Sequence, residues 1–291
     1  MRPSATSIPY AGRLAPSPTG LLHLGHARTF WTACERARAS DGILWLRDED
    51  LDRQRSREEF SLAMRKDLRW LGITWQSELR QSDRLPLYRA ALDRLLAAGL
   101  AYPCTCSRRD LAQAIAAPHE DTDDEPVYNN RCRPLTQGSS IFDPNVNYRL
   151  RIPDGEPVLF DDLHAGPQRF VAGQDFGDFL VWRKSAWGKR VSATTQPGGA
   201  ADEGLPSYQL ACVVDDAAMH ITEVVRGRDL LKSTARQMLL QRALGLPALQ
   251  YFHCDLWRDA AGVRLAKRDD ALALRSLREQ GLTPEQVLAM F

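Results

Sequence analysis

Two histidines bracket a leucine and a glycine in the stretch RLAPSPTGLLHLGHARTFW, residues 13–31, as His23-Leu24-Gly25-His26. Prolines precede the motif and an apolar pattern of helical period follows it, so it falls where a loop becomes a helix. The first turn of a helix presents unpaired N–H groups and the positive end of its dipole, and both favour a bound anion. Gly25 lets a flat or phosphorylated ligand approach the backbone closely. The imidazoles of His23 and His26 can donate to phosphate oxygens that gain charge in a transition state. The plain alternative is a capped turn with two surface histidines. Far along the chain, after a turn at RDAAG, stands the basic segment Arg264-Leu265-Ala266-Lys267-Arg268. There Lys267 is a mobile point charge suited to a departing pyrophosphate; by itself the segment also reads as a solvated basic loop.

A second chemistry is written in the cysteines. Of six, Cys104 and Cys106 are one residue apart and Cys132 follows at the far side of the acidic stretch PHEDTDDEP. Three thiolates can serve a tetrahedral zinc site that needs a fourth ligand, and three reduced cysteines without metal are the alternative. A structural metal would stabilise an insertion too small to build a large core. Cys34, Cys212 and Cys254 fall within apolar patterns and are expected in the core.

These residues need a frame. YAGRLA reads as a short strand, Ala27, Phe30, Trp31, Cys34 and Ala37 as the buried face of a helix from about Leu24, and GILWLR as a parallel strand covered on both sides. Ser56 and Glu59 form a capping-box pair before the next helix, and a further helix carrying Tyr88, Leu92 and Leu95 stops at Gly99. The alternation predicts an α/β fold, a doubly wound parallel (Rossmann) sheet. Its first half is expected over residues 8–100 and an inserted subdomain over 101–204, containing strands such as PVLFDD and DFLVW and a loop over 185–204. The second half is expected over 205–247, with parallel-sheet character at YQLACVVDD and HITEVVRG and a helix from about Asp229 that ends before Gly245. Residues 248–291 hold a strand at YFHCDLW, the basic loop and a helical tail whose last helix starts at Thr283-Pro284.

The totals are those of an ordinary globular chain: 291 residues, 44% apolar, 26% charged and a formal net charge of +1. No apolar run approaches the roughly 20 residues of a membrane helix, and the first residues lack a secretory apolar block, so a cytoplasmic protein with no membrane association is expected. With so little net charge, a nucleic-acid partner would be held by local patches.

The sequence resembles the class I aminoacyl-tRNA synthetases, which pair a His-x-Gly-His helix start with a Lys-x-Ser-Lys type loop in a Rossmann domain. RLAPSPTGLLHLGHARTF, LRDEDLDR, YQLACVVDD and ITEVVRGRDLL are similar to the glutamyl branch over most of the chain. Because the sequence stops soon after Arg268, the anticodon-binding domain of full glutamyl-tRNA synthetases is not expected. The resemblance is therefore to the shortened glutamyl-Q tRNA(Asp) synthetase family. It implies activation of L-glutamate with ATP and its transfer to queuosine, the modified wobble base of tRNA(Asp); a monomer is expected. An ordinary truncated glutamyl-tRNA synthetase, a related nucleotidyltransferase that acts on a small acid without tRNA, and an inactive tRNA- or metal-binding protein are the alternatives.

The resemblance also implies residue roles. The loop Arg13, Leu14, Ala15, Pro16, Ser17, with Glu49, Tyr208 and Arg226, would hold glutamate: the arginines suit its carboxylates, Tyr208 adds a neutral donor and Glu49 suits its α-ammonium. His23, Gly25, His26, Arg264 and Lys267 would hold ATP with Mg²⁺, and His23, His26 and Lys267 would stabilise the reaction in which the α-carboxylate attacks the α-phosphorus. Ala266 stands where the family usually has serine, which removes a hydroxyl, and Arg264 where it usually has lysine, which keeps the charge. In the family Cys-x-Cys is followed by Tyr-x-x-x-Cys, and YNNRC supplies Tyr128 and Cys132 in that register, so Cys104, Cys106, Tyr128 and Cys132 would hold one structural Zn²⁺. His119 is the more conventional fourth donor. For tRNA phosphates, Arg108, Arg109, Arg131, Arg133, Arg236 and Arg242 are candidates, with solvated surface as the default.

Overall fold

The computed structural model describes residues 9–106, 127–184, 204–256 and 273–291. Strand β1 (Ala11–Leu14), all of it buried, runs into the Pro16–Pro18 loop and helix α1 (Leu24–Ala39). Strand β2 (Ile43–Asp48) pairs in parallel with β1, Leu14 opposite Leu46; helix α2 (Glu58–Trp70) follows, and β3 (Ser77–Arg80) adds to the other side of β2. The faces of α1 and α2 that carry Ala27, Phe30, Cys34, Met64 and Leu68 close over Leu14 and Leu46, and each leucine so buried contributes roughly 1.5–3 kcal/mol. Helix α3 (Leu85–Ala97) then leads away from the sheet.

An antiparallel sheet interrupts this pattern. It is built from β4 (Ala101–Cys104), β5 (Asn147–Leu150), β8 (Leu180–Arg183) and β9 (Leu205–Pro206) in the order β4-β5-β8-β9, while β6 (Pro157–Asp162) and β7 (Gly166–Val171) form a separate hairpin. Helix α4 (Tyr208–Ala218), strand β10 (Glu223–Gly227), helix α5 (Leu231–Leu244) and strand β11 (Gln250–Cys254) follow, with β10 and β11 parallel. Helices α6 (Leu274–Glu279) and α7 (Pro284–Leu288) close the chain, the latter with the Thr283 cap and Pro284 start expected of it. A second core, including Tyr88, Tyr148, Trp182, Leu210 and Leu239, fills the space between α3, α4, α5 and the antiparallel sheet.

Thr222 just before β10 donates its N–H to the Ala11 carbonyl at 2.9 Å, and the Ala11 N–H returns to Thr222 Oγ1 at 2.9 Å. Strand β10 thus starts beside β1, and the strands run β3-β2-β1-β10-β11, leaving β1 in one chain direction and β10 in the other. This reversal is a topological switch point, the place where an α/β sheet opens a crevice at the C-terminal ends of its strands. The α/β class with a parallel sheet is as expected.

Two local expectations fail. YQLACVVDD is helix α4, not strand: Ser207 caps it by accepting from the Leu210 N–H, and its apolar residues pack on one side against α3 and α5. A short apolar run rich in valine carries no period that separates the two states, so the cap and the packing decide. Likewise Ser56 and Glu59 make no capping box: α2 starts one residue later, with Arg57 at the cap and no side-chain cap bond. There the Arg57 N–H is taken by the Pro18 carbonyl at 3.0 Å, which ties the helix start to the Pro16–Pro18 loop.

Candidate active site

At the switch point β1 and β10 each contribute an arginine. Arg13, 4% exposed, donates from Nη1 to the Val225 carbonyl at 2.8 Å, and its Nε lies 3.6 Å from Asp216 without a hydrogen-bond partner. Burial lowers its pKa, Asp216 opposes this, and the neighbouring charges of Arg47 and Arg226 lower it further. A buried guanidinium with an unmet donor is costly until an anion reaches it.

Beside it, Arg47 is fully buried and bridges two acids, giving Nη1 to Asp216 at 2.5 Å and Nη2 to Glu49 Oε1 at 2.9 Å. Burial also pushes the Glu49 pKa up, while Arg47 and Arg13 pull it down. Both Arg47 bonds to Glu49 end on Oε1, so a bound cation would find its acceptor in Oε2. The Glu49 N–H donates to the Pro16 carbonyl at 3.0 Å and so fastens the loop Ala15-Pro16-Ser17 over the end of β2. Leu14, wholly buried, serves the core.

Arg226, 5% exposed, sits on β10 with the Tyr208 hydroxyl 3.5 Å from its Nη1. The structure therefore gathers Arg13, Glu49, Tyr208 and Arg226 at one crevice, as the sequence expects. It adds Arg47 and Asp216, which the sequence reading missed: three guanidiniums against two carboxylates leave this wall with an excess of one positive charge. Glutamate, with two carboxylates and one ammonium, matches that excess with opposite sign. Cys212, expected simply as core, packs at 3.6 Å from both Glu49 and Arg47.

His253, on β11 opposite Arg226, is wholly buried, and its pKa is pushed down to about 4 by burial and by the Arg226 charge, against the pull of Asp162. An unfolded imidazole binds its proton below about 6.5, the folded one only below about 4. Between those values the unfolded chain holds more protons, so stability falls as pH falls, by about 3 kcal/mol in all from this residue. Urea unfolding from pH 7 to pH 4 is expected to show this slope and a His253→Gln variant to lack it; equal slopes would contradict the assignment.

His23 and His26 flank the first turn of α1. His23 Nδ1 accepts from the Gly25 N–H at 3.1 Å, the His26 Nδ1 accepts from the His23 N–H at 3.4 Å, and the rings stack at 3.7 Å. The capping and functional readings are therefore compatible: with both Nδ1 atoms accepting, each ring carries its proton on Nε2, which is then a donor. Lys267, Arg264 and Ala266 lie outside the described residues, but the chain on either side is placed. Strand β11 ends at Cys254, and Ala273 forms a bridge with His23 while Leu274 donates to the Leu22 carbonyl at 2.8 Å. The described chain therefore stops just past the C-terminal end of β11 and resumes beside the histidine turn.

The thiols of Cys104, Cys106 and Cys132 lie within 4.8 Å of one another. Tyr128 Oη is 3.6 Å from Cys104 Sγ and 3.5 Å from Cys106 Sγ, accepts from the Cys132 N–H at 2.8 Å, and the Cys106–Cys132 separation is 3.4 Å. Tetrahedral zinc with three thiolates and one oxygen has ligand–ligand edges of roughly 3.5–3.8 Å, so this donor set fits. Burial opposes ionisation of Cys132, yet hydrogen bonds from Tyr128, Thr105 and Cys106 outweigh it and bring the thiol down to about 6. Arg149 supports the cluster with Nε 3.4 Å from Cys104 Sγ and its guanidinium 4.0 Å from the Tyr128 ring. Gly177 admits the Tyr128 backbone, because a Cβ there would come within 2.5 Å of the Tyr128 nitrogen. His119, like Arg108 and Arg109, lies outside the described residues.

Of the other arginines proposed for tRNA, Arg131 is exposed, whereas Arg133 bonds to Asp154 and the Ile152 carbonyl and Arg242 to Glu156. Arg236 is buried with its guanidinium 5.6 Å from the Phe176 ring, which corrects the surface assignment: the helix face that carries it packs inward.

A family described as tRNA synthetases class I (E and Q), catalytic domain, matches residues 11–291. The glutamyl-Q tRNA(Asp) synthetase of Symbiobacterium thermophilum is 43% identical over 290 residues, covering 95% of this chain and 84% of the relative. That of Rhodobacter capsulatus is 44% identical over 283 residues, covering 94% of this chain and 97% of the relative. A crystal structure of a glutamate tRNA ligase from Elizabethkingia meningosepticum in complex with its amino acid matches with a TM-score of 0.72 at 25% identity, over 94% of this chain but 54% of that one, so this chain spans about half its length. The protein is thus a class I aminoacyl-tRNA synthetase-like ligase, and the chain belongs to the glutamyl and glutaminyl family of these enzymes, on the branch whose members are named glutamyl-Q tRNA(Asp) synthetases.

Proposed function

We propose that this protein activates L-glutamate with ATP and transfers the glutamyl group to the queuosine base at the wobble position of tRNA(Asp). The observation that carries the reading is the buried Arg13, whose Nε has no hydrogen-bond partner, close enough to Arg226 and Glu49 to feel their charges, with the donor pair His23 and His26 at the start of the helix that follows the β1 loop. Arg13 and Arg226 bind carboxylate, Tyr208 adds a hydroxyl and Glu49 takes the α-ammonium. An α-carboxylate oxygen attacks the α-phosphorus; its new O–P bond forms as the bond to pyrophosphate breaks. His23 and His26 donate to phosphate oxygens, Gly25 admits the nucleotide, and Lys267 with Arg264 neutralises the leaving pyrophosphate. Mg²⁺ would supply charge neutralisation on the phosphates. In the second step a hydroxyl of the cyclopentenediol ring attacks the glutamyl carbonyl carbon, AMP leaves with the bonding pair, and the hydroxyl proton passes to the phosphate or to solvent.

Around that chemistry we read residues 8–100 and 205–247 as the two catalytic halves, 101–204 as an insertion with one structural Zn²⁺ on Cys104, Cys106, Cys132 and Tyr128, and 248–291 as the loop and tail. Among the described residues no helix is long and apolar enough to cross a membrane; the reading is a cytoplasmic monomer.

Pyrophosphate exchange with each amino acid, then transfer of labelled glutamate to tRNA with and without queuosine, tests the function. Exchange with glutamate and label on the anticodon base of queuosine-containing tRNA(Asp) alone are expected. Label on the tRNA 3′ end would identify an ordinary glutamyl-tRNA synthetase, and exchange without transfer would point to the nucleotidyltransferase alternative.

A further inference from the structure

The side chain of His253 joins two parts of the chain that are far apart in sequence. Its Nδ1 lies 2.6 Å from Asp162 Oδ2, and its Nε2 lies 3.2 Å from Arg226 Nε and 3.0 Å from Thr234 Oγ1. Asp162 stands at the turn of the β6–β7 hairpin, where it also accepts from the backbone N–H groups of His164, Ala165 and His253 at 3.0, 2.7 and 3.2 Å. Burial opposes its charge, but those bonds and His253 hold its pKa below the usual carboxylate range. An ionised carboxylate only accepts, so the His253 proton must sit on Nδ1 and leave Nε2 bare. A bare Nε2 accepts from Arg226 Nε–H; the other tautomer would set two donors against each other.

The guanidinium of Arg226 has five N–H bonds in one plane. His253 takes the one on Nε, Thr234 Oγ1 takes one from Nη2 at 2.6 Å and Gln237 Oε1 takes one from Nη1 at 2.9 Å. Three acceptors around a planar group fix that plane. What remains is one N–H on Nη2 and one on Nη1 that meets only the Tyr208 hydroxyl, at 3.5 Å, and together these form the end-on fork that meets both oxygens of a carboxylate. We infer that Asp162 and His253 are positioning residues for the amino-acid substrate: Asp162 sets the tautomer of His253, and His253 aims the fork of Arg226. The inserted hairpin therefore tunes glutamate recognition. This inference rests on the reading that Arg226 binds a glutamate carboxylate.

Glutamate and ATP Michaelis constants from pyrophosphate exchange on the full chain separate the two. Arg226→Lys tests the reading and raises KM for glutamate. His253→Asn, which removes the acceptor from the Nε2 position, raises KM for glutamate roughly tenfold, the worth of about one charge-assisted hydrogen bond, and leaves KM for ATP unchanged. His253→Gln, whose amide oxygen reaches the Nε2 position, restores most of the loss. Nitrogen-15 NMR of the unsubstituted protein shows the Nδ1–H tautomer of His253 whether or not either variant folds. An Nε2–H tautomer, a parental glutamate KM in His253→Asn while Arg226→Lys is impaired, or equal rises in both constants overturns the inference. A parental KM in Arg226→Lys overturns the reading, and the inference with it.

Discussion

Arg13→Leu is expected to lower kcat/KM for glutamate in pyrophosphate exchange by about 10²–10³-fold, the cost of truncating a buried, charged hydrogen-bonding partner at roughly 1.4 kcal/mol per decade. The fold should survive the change. Asp216, the acid beside Arg13, keeps its 2.5 Å bond to Arg47, so the substitution leaves no carboxylate unpaired. Only the Val225 carbonyl loses a side-chain donor. Arg13→Lys should remain impaired although the charge is kept, because an ammonium cannot reach that carbonyl and a carboxylate together through one planar fork. Thermal unfolding of both variants near the parental temperature, with KM for ATP unchanged, is the expected companion result. Parental glutamate kinetics in Arg13→Leu would remove this residue from the amino-acid site.

Cys104→Ser is expected to reduce bound zinc from about one ion per chain to almost none, because a neutral hydroxyl replaces a thiolate at the most buried corner of the tetrahedron. In a cluster this small the metal replaces a core: among the described residues it contains, besides the ligand candidates Cys104, Cys106, Tyr128 and Cys132, only Tyr102. Loss of the ion should therefore loosen β4 and the segment around Tyr128 and lower the unfolding temperature. Tyr128→Phe separates the proposed fourth ligand from His119. If Tyr128 ligates, affinity should drop by one or two orders of magnitude, whereas retention of full affinity would turn the assignment toward His119. Metal analysis of the purified proteins, before and after chelation, reads each outcome. A thiol already brought down to about 6 at Cys132 also predicts that zinc uptake persists at neutral pH and is lost in acid, as protons displace the metal.

Several features were legible because their causes are local. The histidine turn followed from prolines, a glycine and the onset of helical period within a dozen residues, and the structure puts a reciprocal cap there. Strand β2 could be read from one apolar run, and the end of α5 from the glycine that stops it at φ +63°. The cysteine cluster was legible as spacing, although the 3.5 Å approach of Tyr128 to Cys106 depends on the fold setting Tyr128 beside the end of β4, which spacing does not encode.

Other features had no local cause. Arg47 in LRDED and Asp216 in VVDD are 169 positions apart, and nothing in either run says that they neutralise each other inside the crevice. Helix α4 illustrates the same limit, since its state depended on Ser207 as a cap and on α3 and α5 as a floor. The acids and bases themselves were visible in the sequence; their pairing was not.

By itself, then, the sequence determined the inventory: a helix start carrying two histidines and a glycine, arginines and an acid at strand ends, and three thiols at close intervals. Tertiary structure decided which of them meet, by turning the strand order back at β1 and β10 so that Arg13, Glu49 and Arg226 share one crevice, and by carrying Asp162 to His253. The physical reason is range. Helix caps and apolar periods act over a few residues of chain, whereas a buried charge is stable only beside whatever partner the packed fold brings to it.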